Sequence, residues 1–170
     1  MGKVDTEKWG KFPISKLFTV VKGTRLTKAD MRDGETNFIG ASSVNNGITA
    51  HISNDEHIHP ENTITISYNG SVGEAFYQEA PFWASDDVNV LYPKFKLNKY
   101  IALFVIPILK KAGRKYAFVD KWKKEDMEKD CIFLPVDENH QPDFSYMESY
   151  MKNREIAVSA LLTNLQSVLS

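Results

Sequence analysis

Residues 61–78, ENTITISYNGSVGEAFYQ, contain two runs of strand-forming residues on either side of a turn sequence. Residues 63–68 are rich in β-branched side chains, and the Asn69-Gly70 dipeptide accepts the positive φ angles of a tight hairpin turn. Gly73 permits a second bend before the chain returns over residues 74–78. The stretch therefore predicts an antiparallel β-hairpin at the centre of the fold.

The segments on both sides repeat this pattern. Residues 9–23 (WGKFPISKLFTVVKG) predict a short helical turn followed by a strand, and residues 37–40 predict another strand. Asn46-Gly47 is a second tight-turn dipeptide, and residues 88–92 predict a further strand before Pro93. We expect these strands to form a small curved antiparallel sheet or half-barrel.

Helical segments complete an α+β domain over residues 1–141. Asn98 is placed to cap a helix, KYIALFVIPILKKAG, that is apolar nearly all round and is therefore predicted to lie buried under the sheet. Pro107 is expected to kink or divide this helix, because proline lacks the N–H that the helix needs. Residues 123–130 predict a short polar helix, and CIFLPV predicts a final strand.

Residues 142–170 predict one long C-terminal helix, which we assign as a separate element. Pro142 can precede a helix but not continue one, and Asp143 can accept hydrogen bonds from the first free amides. Apolar residues recur at alternating steps of three and four, as in a coiled coil, over a length of about 40 Å. We expect this seam to bind a second copy, a partner subunit or a matching helix; the alternative is that it covers the domain's own core. The seam consists of Phe144, Met147, Met151, Arg154, Val158, Leu161, Leu165 and Val168.

The charged residues are strongly segregated along the chain, although the net charge is only -1. Residues 1–29 carry seven Lys or Arg against two acids, and residues 94–124 carry ten against one. The intervening residues 30–93 carry one against ten, and residues 125–170 carry three against nine. This pattern predicts that two basic segments converge on one surface that faces a polyanion. The alternative is that each basic run is a solvated face.

No catalytic fingerprint is visible in the sequence. The chain has no Gly-x-Gly, no Walker-type loop and no acidic residue two positions before a lysine, which excludes the usual dinucleotide, nucleotide-triphosphate and acid-x-Lys nuclease patterns. His51, His57 and His59 are the best metal candidates, but their spacing matches no zinc pattern. We therefore predict no catalytic residue, no metal and no cofactor.

Two other clusters point to structure rather than to chemistry. Asp86-Asp87 is expected to close a turn, and Cys131 with His140 lacks a residue that would orient the pair for nucleophilic catalysis. The single cysteine excludes a disulfide framework, and no apolar run reaches membrane-spanning length. These features predict a soluble cytoplasmic protein that does not associate with a membrane.

Several short motifs follow one another along the chain in a distinctive order. They begin with Ile-x-x-Leu-Phe at residues 14–18, Gly-Thr-Arg-Leu-Thr at 23–27 and Phe-Ile-Gly at 38–40, followed by Asn-Asn-Gly at 45–47. ITISYNGSVGEAFYQ, DDVNVLYP, a helix that contains Leu-Phe, a Tyr-bearing loop, IFLPV and PDFSYMESYM complete the series. Together they resemble the target recognition domain of the specificity subunit of type I restriction-modification systems, with the beginning of its helical spacer. The resemblance covers essentially the whole chain.

This resemblance implies a non-catalytic subunit that reads a DNA half-site and binds methyltransferase subunits, and possibly restriction subunits, through its helix. Usual members contain two recognition domains and two spacers, whereas this chain has one of each. Two copies joined through the seam would restore that architecture and would imply an interrupted palindromic target.

The expected contacts with double-stranded DNA are assigned by position. Basic side chains on loops can reach phosphates, and amide side chains on turns can read base edges. The candidates are Lys22, Arg25, Lys28, Arg114, Lys115 and Tyr116, with Asn45, Asn46, Asn69 and Ser71 as further candidates for base reading. A second hypothesis, from a different class, is an assembly module that dimerises through its coiled coil and binds no DNA. A third is a small hydrolase that uses residues 51–59.

Overall fold

The computed structural model describes residues 6–116 and 121–169, with side chains described as far as residue 166. Within these ranges the chain forms ten strands and four α-helices. In chain order they are β1 (Gly10–Pro13), α1 (Ile14–Leu17), β2 (Phe18–Lys22), β3 (Asp33–Ile39), β4 (Ile48–Ile52), β5 (Ile58–His59), β6 (Thr63–Ser67), β7 (Ala75–Gln78), β8 (Phe82–Ala84), β9 (Val88–Pro93), α2 (Lys99–Gly113), α3 (Lys124–Lys129), β10 (Cys131–Leu134) and α4 (Phe144–Leu169). The mixed α+β class is confirmed.

The strands form two four-stranded sheets and one two-stranded sheet. The first has the order β2-β9-β6-β7, the second β4-β3-β8-β5, and β1 pairs with β10. The β6–β7 hairpin is the predicted one, with Thr63 opposite Gln78. One expectation was wrong: β3 and β8 are parallel, whereas we expected only antiparallel pairs. After β5 the chain leaves the second sheet and forms β6 and β7 in the first. It then returns to the second sheet as β8, which runs beside β3 in the same direction.

The side chains of the first sheet alternate between two apolar layers. Ile64 and Ile66 face the helices and belong to the main core with α2, while Val88 and Val90 face the second sheet and pack with Phe82. The first sheet is therefore buried on both faces. Its loops and strand ends remain at the surface.

The buried helix α2 begins as predicted, since Asn98 Oδ1 accepts a hydrogen bond from the Ile101 amide at 3.0 Å. It is not divided at Pro107 but runs through it to Gly113. Pro107 and Leu103, four residues earlier, both lie on the exposed side of the helix. Water can therefore replace the hydrogen bond that proline cannot donate.

The long helix α4 is half core and half exposed surface. Asp143 Oδ1 accepts from the Tyr146 amide at 2.8 Å, as predicted. Phe144 then stacks on Phe95 with ring centroids 4.0 Å apart, and Met147 is completely buried in the main core. The predicted seam therefore divides. Assigning Met147 to a partner interface was wrong, because it is buried in the domain's own core, whereas Met151 packs against that core and stays partly exposed.

The remaining predicted seam residues lie C-terminal to the buried part of α4. Arg154 bonds Tyr150, and Val158, Leu161 and Leu165 are 48%, 59% and 52% exposed. The side chain of Val168 lies outside the described residues. No helix in the described part of the chain is both long and apolar enough to span a membrane.

The buried half of α4 makes a testable contribution to stability. We expect Met147→Ala to lower the free energy of unfolding by about 2–5 kcal/mol, because it leaves a cavity in the main core. Leu103→Ala removes a similar volume at a site that is 41% exposed and should cost about 1 kcal/mol or less. Urea denaturation measures both; equal losses would contradict the burial of Met147.

A buried histidine gives the fold a pH dependence. His59 lies on β5, its Nδ1 2.7 Å from the Tyr92 hydroxyl and its ring stacked on Phe82. Burial, and then the nearby His57, lower the pKa of His59 below its ordinary value of 6.5. As the pH falls through that value, the unfolded chain takes up a proton that the folded protein does not, so stability decreases.

Thermal melts at pH 7.5 and pH 5.0 test this dependence. His59→Gln removes the titrating group and should show a smaller drop in melting temperature than the wild type. His51→Gln, at an exposed site on β4, should keep the wild-type drop. An unchanged drop in His59→Gln would contradict the assignment.

Candidate nucleic-acid interface

The basic loop after β2 is held against the start of β9. The Gly23 amide donates to the Val88 carbonyl and the Thr24 amide to the Ala84 carbonyl, both at 2.9 Å. A Cβ at Gly23 would lie 2.1 Å from the Ser85 carbonyl oxygen, so only glycine permits this approach. Lys22 and Arg25 are therefore placed beside the turn that precedes β9.

The turn at Asp86-Asp87 joins this loop to the turn after β6. Arg25 Nη1 lies 3.5 Å from Asp86 Oδ2, and Asn69 Nδ2 donates to Asp87 Oδ1 at 2.6 Å. The Lys22 ammonium lies 5.5 Å from the centre of the Tyr68 ring. Three candidate residues from two separate loops thus meet at one end of the first sheet. Lys28 is exposed in the same basic loop.

Residues 40–47, between β3 and β4, border this site. Ser71 Oγ donates to the Ala41 carbonyl at 3.4 Å, which joins the turn after β6 to the start of this segment. The positive φ angles expected for Asn46-Gly47 are present, at 53° and 79°, and Asn45 has one as well, at 50°. Both amides also serve the fold: Asn45 Nδ2 donates to the Ile48 carbonyl, and Asn46 Nδ2 donates to the Tyr77 carbonyl.

The end of α2 approaches the same turn through a close contact of two glycines. A Cβ on Gly113 would lie 3.0 Å from the Gly73 Cα and 2.7 Å from the Trp122 ring. The Trp122 amide also donates to the Tyr68 carbonyl at 3.1 Å. The segment Arg114–Tyr116 therefore begins where the turn of residues 68–73 ends.

The three residues of that segment are used differently. Lys115 Nζ lies 2.5 Å from Asp130 Oδ1, and this bond raises the lysine's pKa. Tyr116 stacks on Trp122, whose Nε1 donates to Asp130 Oδ2 at 2.8 Å. Lys115 and Tyr116 thus belong to a small network that supports the fold, although Lys115, like Arg114, is exposed. The sequence did not reveal this network, because nothing in it pairs Asp130 with a residue 15 positions earlier.

The histidine cluster does not converge on a metal site. His59 is buried against Tyr92, and His57 packs edge-on to Trp83 with centroids 5.2 Å apart. Among residues 6–116 and 121–169, no three His, Cys, Asp or Glu side chains come together to hold a metal. The described geometry thus offers no support for the hydrolase hypothesis.

Comparison with known proteins identifies the family. Residues 6–164 match the family described as type I restriction modification DNA specificity domain. The chain belongs to this family. It is 36% identical over 160 residues to the type II restriction enzyme specificity subunit S.BcgI from Heyndrickxia coagulans, covering 94% of this chain and 47% of that protein.

Solved structures of S subunits share the fold of this DNA specificity domain. The type I restriction-modification S subunit from M. genitalium aligns with a TM-score of 0.62 and 16% identity, covering 95% of this chain and 44% of the other. The HsdS subunit from Thermoanaerobacter tengcongensis aligns with a TM-score of 0.64 and 17% identity, covering 94% and 40%. The chain thus spans about half the length of the relatives it matches.

The glycine contact at the end of α2 predicts a strong substitution effect. Gly113→Ala should destabilise the domain by about 1–3 kcal/mol, because its Cβ would overlap the Trp122 ring. Combining it with Trp122→Leu should cost less than the sum of the two single variants, since the overlap disappears. Urea denaturation of the three variants measures this coupling; strict additivity would contradict the contact.

Proposed function

We propose that this specificity domain binds duplex DNA at the end of the first sheet and reads part of its target there. The observation that carries the proposal is the approach of two basic segments to neighbouring turns. Lys22 lies over the Tyr68 ring and Arg25 pairs with Asp86, while Arg114 follows Gly113, which contacts Gly73. The family of the chain supports the same function and favours it over a DNA-free assembly module.

The candidate residues take different parts in this proposal. Lys22, Arg25, Lys28 and Arg114 supply exposed cations for phosphates, which position a protein on a duplex without reading its sequence. Asn45, Asn69 and Ser71 lie on turns of the same surface and supply hydrogen-bonding groups for base edges. Asn46, Lys115 and Tyr116 were candidates too, and their side chains also take part in the bonds and stacking described above, which hold the neighbouring turns in place.

Two charge-removing variants test the DNA surface. Lys22→Gln and Arg114→Gln should each weaken binding to a mixed-sequence duplex, because each removes one cation from the phosphate contacts. For each lost phosphate contact, the plot of log affinity against log salt should become shallower by about 0.9. Fluorescence anisotropy across a salt series measures both quantities.

Lys152→Gln provides a matched control for these variants. Lys152 is an exposed lysine on α4 that pairs with Glu148 at 2.6 Å, away from the proposed surface. Its removal should leave the salt dependence unchanged. If all three variants behave alike, or if the wild type binds no duplex at any salt, the proposal is wrong.

We further propose that the exposed half of α4 joins the domain to a second copy of the chain and to methyltransferase subunits, and that the chain itself is not catalytic. Support comes from the apolar side chains of this half, which project from the domain: Ile156, Val158, Leu161, Leu162 and Leu165 are each 48–67% exposed. Because the chain spans about half the length of its relatives, two copies together would match the length of one relative. Such a pair would read two half-sites related by two-fold symmetry. A restriction subunit would be a further member of the same complex.

The solution mass of the full chain tests the second copy. Light scattering should give a dimer for the wild type and a monomer for the double variant Leu161→Asp, Leu165→Asp, because a charge on a buried apolar face opposes association. Thr163→Asp, on the opposite face of the helix from Leu161 and Leu165, should remain dimeric. A monomeric wild type would contradict the homodimer and leave this face to a methyltransferase subunit.

A further inference from the structure

The segment of residues 40–47 presents one apolar side chain at its tip. Val44 is 68% exposed, more than any other large hydrophobic side chain among the described residues. We propose that Val44 contacts the C5-methyl group of a thymine in the major groove and so contributes to target specificity. This inference rests on the proposed DNA-binding function.

The backbone that carries Val44 is fixed on both sides. The Val44 amide donates to Ser42 Oγ at 3.2 Å, and the Val44 carbonyl accepts from the Gly47 amide at 3.0 Å. The Gly40 amide donates to the Gly47 carbonyl at 2.9 Å and closes the segment. Val44 is thus held in place before any ligand binds, which lowers the entropy cost of a contact.

The turn after Val44 is firmly held. Asn45, Asn46 and Gly47 all have positive φ angles, of 50°, 53° and 79°, a conformation that Asn and Gly adopt more readily than other residues. The buried side chain of Gln78 fixes this turn through reciprocal bonds: its Nε2 donates to the Asn46 carbonyl at 3.2 Å, and its Oε1 accepts from Asn46 Nδ2 at 3.3 Å.

The segment lies next to the proposed DNA surface. A Cβ at Gly70 would be 3.2 Å from the Ala41 Cβ, and Ser71 Oγ bonds the Ala41 carbonyl. Residues 40–47 therefore continue the surface that begins at Lys22 and passes over Tyr68 to Ser71. The inference therefore requires the duplex to extend from the cations across the start of this segment to Val44.

The chemistry of the side chain selects its target. An isopropyl group can make no hydrogen bond, and the thymine methyl is the apolar group that the major groove presents. The exposed neighbours Ser43 and Asn45 can bond base edges on either side of such a contact. A 5-methylcytosine offers the same methyl group, so the experiment must distinguish the two bases.

The test is a double-mutant cycle between protein and DNA. The full chain first selects its preferred duplexes from a random-sequence pool, and each thymine of the enriched site is then replaced by uracil, which lacks only the methyl. We expect the wild type to lose about fourfold in affinity at one thymine, the value of one buried methyl group. Val44→Ala should bind the thymine duplex more weakly than the wild type by a similar factor. Replacing that thymine by uracil should then not weaken the binding of Val44→Ala any further.

Controls separate this inference from the function it rests on. Val44→Thr keeps a branched side chain with one methyl and should retain part of the preference for thymine over uracil, while Leu103→Ala, an exposed apolar site on α2, should retain all of it. A thymine preference that survives Val44→Ala, or tighter binding of a 5-methylcytosine duplex than of the thymine duplex, overturns the inference alone. Failure to enrich any sequence overturns the proposed function as well.

Discussion

The contact of Gly73 with Gly113 beneath the Trp122 ring is the constraint on which the proposed interface depends. It brings the end of a buried helix against a turn of the first sheet, at a distance that no larger residue allows. The main-chain bond from Trp122 to Tyr68 continues the contact toward the basic loop after β2. Arg114 thereby begins close to the turn beside which Lys22 lies, although the two residues are about 90 positions apart in the sequence.

An exposed cation of this surface pairs with an acid that it could exchange for a DNA phosphate. Arg25 is 76% exposed and pairs with Asp86 at 3.5 Å. Such exposed pairs contribute little to stability, typically 0–1 kcal/mol, so Arg25 can leave Asp86 for a phosphate at small cost. Asp87 instead holds Asn69 in place. The turns that would face bases are thus bonded to one another before DNA arrives.

Features with a local physical cause could be predicted from the sequence. The β6–β7 hairpin follows from Asn69-Gly70, and the starts of α2 and α4 follow from the capping residues Asn98 and Asp143. The parallel pairing of β3 with β8 could not be predicted, because it depends on a long connection through the other sheet. The heptad pattern of α4 indicated an apolar face but not what covers it, and Met147 proved to pack on the domain itself. Likewise, a basic sequence does not show that Asp130 holds Lys115, since Arg114 stands directly before it in the same run.

Amide hydrogen exchange of the full chain, with and without a mixed-sequence duplex at low salt, tests most directly whether these segments form one DNA surface. The account predicts slower exchange in residues 22–28, 41–47 and 68–73 together when DNA is bound, with unchanged exchange in residues 155–166. Protection confined to the C-terminal helix, or to one of the three loops without the others, would contradict it.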